Sequence, residues 1–261
     1  MYKIGFIGSG KMAGAIIKGL IKTSFAKPEE LIATQAETEG IDEKSRELGI
    51  KIILDNKELA QNSEVIFIAT KPNQAADVLE EIKPFITSDK LIASIAAGVT
   101  TEKLESHLPE NTRVIRIMPN TPAMVGEGVL LFEEKNSLLE EERAEVKKLF
   151  EALGIVIELP VHLMGIGGAL TGCGPAFIDL IIEALGDAGV KYGVPRKQAY
   201  EMVSQMILGS AKLQLETGEH PGVLKDNVCS PAGTTICGVD ALEHAGIRAG
   251  FIDAIDAIMN K

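Results

Sequence analysis

Three observations predict an α/β fold in which residues 1–160 form a layered sheet domain and residues 161–261 an all-α C-terminal domain. Short apolar runs of strand length alternate with amphipathic segments of helix length through the first part. One of those runs, Val65–Ala69, is apolar without interruption, as a central parallel strand buried on both faces requires. After Pro160 the strand signal stops and only helical periodicity remains.

The elements follow in order. Ile4, Phe6 and Ile7 mark a first strand, and Met12, Ile16, Ile17 and Leu20 give Lys11–Lys22 helical spacing. Leu31–Thr34 is a second strand, Asp42–Leu48 a polar helix and Lys51–Leu54 a third strand. Val65–Ala69, Leu91–Ile95 and Val114–Met118 repeat the theme, with helices at Gln74–Ile82 and Glu102–His107 between them. Val129–Phe132 and Val156–Leu159 flank an amphipathic helix at Glu140–Leu153. Alternation of this kind implies a doubly wound sheet. Beyond it, Pro175–Tyr192 and Pro195–Thr217 both start with proline, which suits the first turn of a helix. Val239–Ala245 and Ile247–Met259 complete the chain, separated by Gly246. Met202 and Met206 read as core, although helices this apolar also suit an interleaved dimer.

The junction of the first strand and helix carries Gly8-Ser9-Gly10-Lys11-Met12-Ala13, the G-x-G-x-x-A arrangement of a Rossmann-like dinucleotide-binding domain. Gly8 permits the tight turn, Gly10 admits a pyrophosphate, and the small Ala13 lets helix and strand approach. The motif alone is often only a turn; its meaning comes from the strand before it and the helix after it.

A second loop, Ser230-Pro231-Ala232-Gly233-Thr234-Thr235, runs straight into a helix. The first N–H groups of a helix have no internal partner, glycine allows close approach, and threonine adds hydroxyl donors, so the loop is suited to a carboxylate. The same residues would also serve as an ordinary N-cap.

In an open α/β sheet, ligands bind beyond the carboxyl ends of the strands. Three segments fall there: Ala69-Thr70-Lys71-Pro72, with a cation and a stiff turn; Ala96-Ala97-Gly98, small enough for a ribose to lie against backbone; and Met118-Pro119-Asn120-Thr121-Pro122, a rigid loop around an amide and a hydroxyl.

Composition excludes several alternatives. A net charge of −11, from 37 acidic and 26 basic residues, without a basic cluster, argues against nucleic acid or an anionic membrane. No secretory signal is recognised, and the best apolar run, Ala176–Val190, is cut by Asp179, Glu183 and Asp187. A soluble, cytoplasmic protein is expected. Cys173, Cys229 and Cys237 have no zinc-like or CxxC spacing and read as reduced, buried fillers. The four histidines are scattered, so no metal site is expected.

These motifs together resemble the pyrroline-5-carboxylate reductase family, through Gly8–Ala13, Ala69–Pro72, Ser94–Gly98, Arg116–Pro122, Gly172–Ala176 and the long run Glu216–Thr235. They span nearly the whole chain in order, and the last is the most specific. The resemblance implies dinucleotide contacts at Gly8, Ser9, Gly10, Lys11, Met12, Thr34, Asn56, Ala69, Thr70, Lys71, Pro72, Ala96, Ala97 and Gly98. It implies substrate contacts at Ser230, Gly233, Thr234 and Thr235, and Asn120 is added from its place at the sheet edge. The chain departs from the family at Cys173, where a hydroxyl is usual, and at Thr70, usually valine.

The implied reaction is hydride transfer to C5 of 1-pyrroline-5-carboxylate, giving L-proline. A protonated imine is already electrophilic, so no strong acid or base is required, and Thr235 is the candidate to orient the ring nitrogen. NADPH is the expected cofactor and NADH the alternative. Thr34 and Gln35 would tolerate a 2′-phosphate, while Lys44 and Arg46 come later in the sequence. A β-hydroxyacid dehydrogenase would need an acid–base group such as Lys191 or Lys212. A dinucleotide-binding regulator would not need the carboxylate loop. Self-association as a dimer, and as a ring of dimers, is implied by the resemblance.

Overall fold

The computed structural model describes residues 1–151 and 153–261. Two compact units emerge, Met1–Gly172 and Cys173–Lys261. The first contains strands β1 (Tyr2–Ile7), β2 (Leu31–Thr34), β3 (Lys51–Ile53), β4 (Ser63–Ile68), β5 (Leu91–Ser94), β6 (Arg113–Met118), β7 (Gly128–Glu133) and β8 (Gly154–Leu159). They form one sheet in the order β3-β2-β1-β4-β5-β6-β7-β8.

Each half of the sheet has its own logic. Strands β1 to β6 are mutually parallel. Strand β7 pairs antiparallel to β6, and β8 runs parallel to β7, so the last two strands are reversed. The alternating pattern in the sequence does not reveal this reversal. Its cause is the short link Pro119–Glu127, which holds only a 3₁₀ turn at Thr121–Val125. A parallel crossover needs a dozen residues or more, so the chain turns back on itself.

Both faces are covered. Helices α1 (Lys11–Lys22) and α6 (Glu140–Glu151) close a core on one face, where Phe6 stacks on Phe67 at 4.8 Å and Phe132 meets Phe150 edge-on at 5.4 Å. Such offset and T-shaped pairs add to the burial of the rings themselves. Helices α3 (Asn56–Asn62), α4 (Ala75–Ile82) and α5 (Thr101–Glu105) cover the other, through Leu59, Leu79, Ile82 and Leu104. Helix α2 (Ile41–Leu48) packs beside α1, where Leu48 lies against Gly14.

Sequence periodicity misses α3, which is too short to show it. Its start is nevertheless marked by Asp55, whose carboxylate accepts from the N–H groups of Lys57 and Glu58 at 2.8 and 3.2 Å.

The first unit runs past the sequence-derived boundary at 160. Helix α7 (Met164–Gly168) returns onto the sheet, with Gly167 against Leu131 and Leu159 and Gly168 against Met118. A Cβ at 167 would reach Leu159 Cδ1 at 2.6 Å and Leu131 Cδ1 at 2.8 Å, so a side chain there would push both leucines aside. The chain then widens into a π turn at Ala169–Cys173.

The second unit contains α8 (Gly174–Lys191), α9 (Arg196–Thr217), α10 (Pro221–Val228), α11 (Thr234–His244) and α12 (Ile247–Met259). Helix α10 is absent from the sequence reading, and α11 begins at Thr234 rather than Val239. Helices α8 and α9 form a hairpin in which Gly186 lies against Tyr200. Its buried residues are only Gly186 and Ala199. Met202 and Met206 are 63% and 49% exposed, so the expected core stripe is an outer surface of the single chain. Cys173 and Cys229 are half-buried and Cys237 is exposed, which corrects the buried-filler reading for the same reason.

Helical residues from Val161 to Lys191 make a run of 31, apolar and long enough to cross a bilayer, with a mean hydropathy of 1.5 over its best window. In sequence, Asp179, Glu183 and Asp187 interrupt the run. At a spacing of four residues these acids share one face and leave the others apolar.

Candidate active site

The carboxyl ends of β1, β2 and β4 open onto a cleft of about 580 Å³. Gly8, Ser9, Gly10, Thr34, Asn56, Ala69, Thr70 and Lys71 all line it. Gly8 has φ of +104°, and a Cβ there would reach Ala69 O at 2.6 Å. A Cβ at Gly10 would meet nothing within 4 Å, so that position faces open space. Helix α1 opens at Gly10 with no side-chain cap and no acidic residue in its first turn. The N–H groups of Lys11, Met12 and Ala13 therefore remain available to an anion, aided by the helix dipole. This cradle fits the pyrophosphate of a dinucleotide.

A hydrogen-bond chain shapes the adjoining wall. The Gly8 N–H donates to Thr34 Oγ1 at 3.3 Å, Thr34 Oγ1 donates to Asn56 Oδ1 at 2.8 Å, and Asn56 Nδ2 donates to Glu81 at 2.9 Å. Thr34 is 2% exposed and its hydroxyl is already engaged at both ends. It holds the glycine turn against β2 and α3, and Asn56 is oriented by it. The α4 residues Asp77, Val78 and Glu81 also line the cleft. They escape the sequence reading, though Asp77 and Glu81 stand four apart on the helix that follows the Lys71-Pro72 turn.

The segment after β5 contributes unevenly. Ile95 N–H donates to Ile68 O at 3.0 Å, which keeps the segment at the ligand edge. Ala96 is buried in the core beneath, whereas Ala97 and Gly98 are exposed. Neither these three nor Pro72, which opens a 3₁₀ turn, lines the cleft just described.

Asn120 plays a different part from the one expected. Its Oδ1 accepts from Val129 N–H at 2.9 Å, and its Nδ2 donates to Thr171 O at 3.0 Å. With 6% exposure and the amide engaged at both ends, Asn120 ties β7 to the π turn instead of offering itself to a ligand. Nearby, Arg116 on β6 and Glu133 on β7 form a buried ion pair at 3.0 Å across the antiparallel pair of strands. Glu133 also accepts from Thr101 N–H at 3.3 Å, so one carboxylate joins β6, β7 and the start of α5.

In the second unit, Ser230, Gly233, Thr234 and Thr235 stand together at the N-terminus of α11. Ala232 adopts a left-handed φ of 57°, and Gly233 N–H donates to Ser230 O at 2.9 Å, closing a tight turn. A Cβ at 233 would lie 3.0 Å from Ser230 O and would force the Ser230 hydroxyl to turn away. No side chain caps α11 and no acidic residue lies in its first turn. Ser230, Thr234 and Thr235 are exposed. The ordinary N-cap reading is thereby disfavoured, and a carboxylate would find free N–H groups and hydroxyls. Lys191 lies over the Tyr192 ring at 5.6 Å and Lys212 pairs with Glu216 at 3.7 Å.

Comparison with known proteins agrees along the whole chain. Residues 162–261 match the family profile described as pyrroline-5-carboxylate reductase dimerisation, and residues 3–98 that of NADP oxidoreductase, coenzyme F420-dependent. A pyrroline-5-carboxylate reductase of Methanosarcina acetivorans is 44% identical over 97% of this chain and 94% of its own length. That of Escherichia coli is 40% identical over 99% and 96%. A crystal structure of the Plasmodium falciparum enzyme with NADP bound superposes with a TM-score of 0.88, at 33% identity, covering 98% of this chain and 95% of that one.

Proposed function

The chain belongs to the pyrroline-5-carboxylate reductase family, and from that premise we propose that it works through two preformed anion cradles, one at α1 and one at α11. Its reaction is the NADPH-dependent reduction of 1-pyrroline-5-carboxylate to L-proline, the last step of proline biosynthesis. When bound, the reduced nicotinamide supplies the hydride.

The observation that carries the reading is that α1 and α11 each start with neither a side-chain cap nor an acidic first turn and each follow a glycine, Gly10 facing open space and Gly233 closing a tight turn on Ser230. Gly8, Gly10 and the first turn of α1 hold the pyrophosphate. Thr34 and Asn56 set the ribose wall, and Lys71 adds positive charge at the β4 end. Ala97 and Gly98 leave room beside the nicotinamide ribose. Ser230, Gly233, Thr234 and the N–H groups of α11 hold the substrate carboxylate. Thr235 Oγ1 accepts the N–H of the protonated ring nitrogen, which fixes the ring and leaves C5 to receive the hydride. Nitrogen keeps its proton as the C=N bond becomes C–N, so the chain supplies positioning and charge stabilisation without a strong acid.

The helical unit self-associates as a dimerisation region, and we extend this to a ring of dimers. An apolar helical surface of this extent is covered by a second copy, not by lipid, and the three free cysteines suit a reducing, cytoplasmic setting. The direct test follows nicotinamide absorbance with pyrroline-5-carboxylate and either NADPH or NADH. Rapid substrate-dependent oxidation, faster with NADPH, is expected; no oxidation by folded protein with either would overturn the reading. Light scattering on the same sample would give a mass of a dimer multiple, and a monomer mass would refute the assembly.

A further inference from the structure

We propose that Lys44 reads the 2′-phosphate of the dinucleotide and that Glu47, its present partner, is an internal competitor that sets the affinity for it. The proposal rests on the dinucleotide reading of the cleft.

The polar groups at the β2 end of the cleft are mostly committed. The Thr34 hydroxyl is engaged with Gly8 and Asn56. Gln35 Nε2 donates to the carbonyls of Glu37 and Glu39 at 2.6 and 2.9 Å, which spends both of its hydrogens. Arg46 turns its Nε back to Asp42 O at 3.1 Å and does not line the cleft. Lys44 does line it, together with Gln35 and Ala36. The other cation on the lining, Lys71, belongs to the end of β4, and β1 lies between β4 and β2 in the sheet. A phosphate on the ribose held by β2 therefore has one ammonium within its own wall.

That ammonium is held by a carboxylate. Lys44 Nζ lies 2.8 Å from Glu47 Oε2, while Glu47 Oε1 lies 2.9 Å from Lys18 Nζ on α1. One carboxylate thus serves two lysines through its two oxygens. When a phosphate takes Lys44, Glu47 remains paired with Lys18, so the handover leaves no bare charge. The two lysines hold the Glu47 carboxyl at a pKa of about 2, Lys44 first, and the competitor stays ionised across the physiological range. The close approach of α1 and α2 at Gly14 and Leu48 keeps Lys18 within reach.

The test needs no turnover. Adenosine 2′,5′-bisphosphate and AMP differ only in the 2′-phosphate, and both are titrated calorimetrically against the full-length protein at fixed salt. Lys44→Gln should weaken the bisphosphate by about tenfold and leave AMP within twofold, as loss of one charge-assisted contact predicts. Glu47→Gln should tighten the bisphosphate about threefold, again without effect on AMP. Equal weakening of both probes by Lys44→Gln, or no weakening of either, would overturn the role of Lys44. Bisphosphate affinity that is unchanged or lower in Glu47→Gln would overturn the competitor. If wild type binds neither probe, the dinucleotide reading itself fails, and this proposal with it.

Discussion

Single atoms decide much of the site. Gly8 is confined by Ala69 O at 2.6 Å and by its positive φ, while Gly233 is confined by Ser230. At Thr235 the relevant quantity is one hydrogen bond to a charged nitrogen. Thr235→Ala should lower kcat/KM by about 10- to 100-fold, the worth of such a bond, and leave NADPH affinity unchanged. Equal loss of substrate turnover and cofactor binding, or no loss at all, would remove Thr235 from the mechanism. The Arg116–Glu133 pair poses a stability question. Its side chains are 6% and 2% exposed, so Glu133→Gln leaves a buried cation with half its partner gone. Chemical denaturation should show a loss of about 3–5 kcal/mol, whereas replacing both residues with Met and Leu should cost less than that single change. A double variant losing more than Glu133→Gln would contradict the account.

At the level of elements, the helices that follow the two glycine turns, α1 and α11, present N-termini with neither a side-chain cap nor an acidic first turn, and two strands run against the rest of the sheet. Strand β8 ends the strand order and is an edge strand, with Ile155 and Ile157 exposed. Helix α6 is fastened to this edge through Arg143 and Lys147, which both pair with Glu158. Burial alone would raise the Glu158 pKa, but the two cations prevail and hold it below the ordinary value. A carboxyl lowered in the folded state adds stability above its unfolded pKa and loses it as pH falls through the folded one. The Tm gap between wild type and Glu158→Gln should be fullest above about pH 5.5 and close progressively below about pH 4. A gap that widened in acid would reverse the sign.

For the whole molecule, the contrast lies between a sheet unit with cores on both faces and a helical unit that buries only Gly186 and Ala199 in its long hairpin. A surface bearing Leu180, Met202, Leu208 and Leu215 at more than half exposure does not stand alone in water. Self-association then contributes to stability by mass action, and Tm should rise with protein concentration over the micromolar range. A Tm independent of concentration over two decades would show that the helical unit is stable without a partner.

The residues that announce themselves in the sequence are those whose chemistry is local. Gly8 and Gly10 at a strand–helix junction, the prolines at the starts of α8 and α9, and the Ser230–Thr235 turn all act through backbone geometry within a few positions, so spacing alone carries them. Helix α3 and α10 were hidden because one or two turns cannot display a period. The roles of Asn120 and Thr34 were hidden because a hydroxyl or amide looks the same in sequence whether it faces a ligand or is saturated by Val129, Thr171, Gly8 and Asn56. The β7 reversal, the gathering of Asp77 and Glu81 at the cleft, and the placing of Lys44 beside the β2 turn depend on contacts between segments far apart in the chain. Local pattern records which residues want burial or a cap; only the packed fold decides which partners meet them.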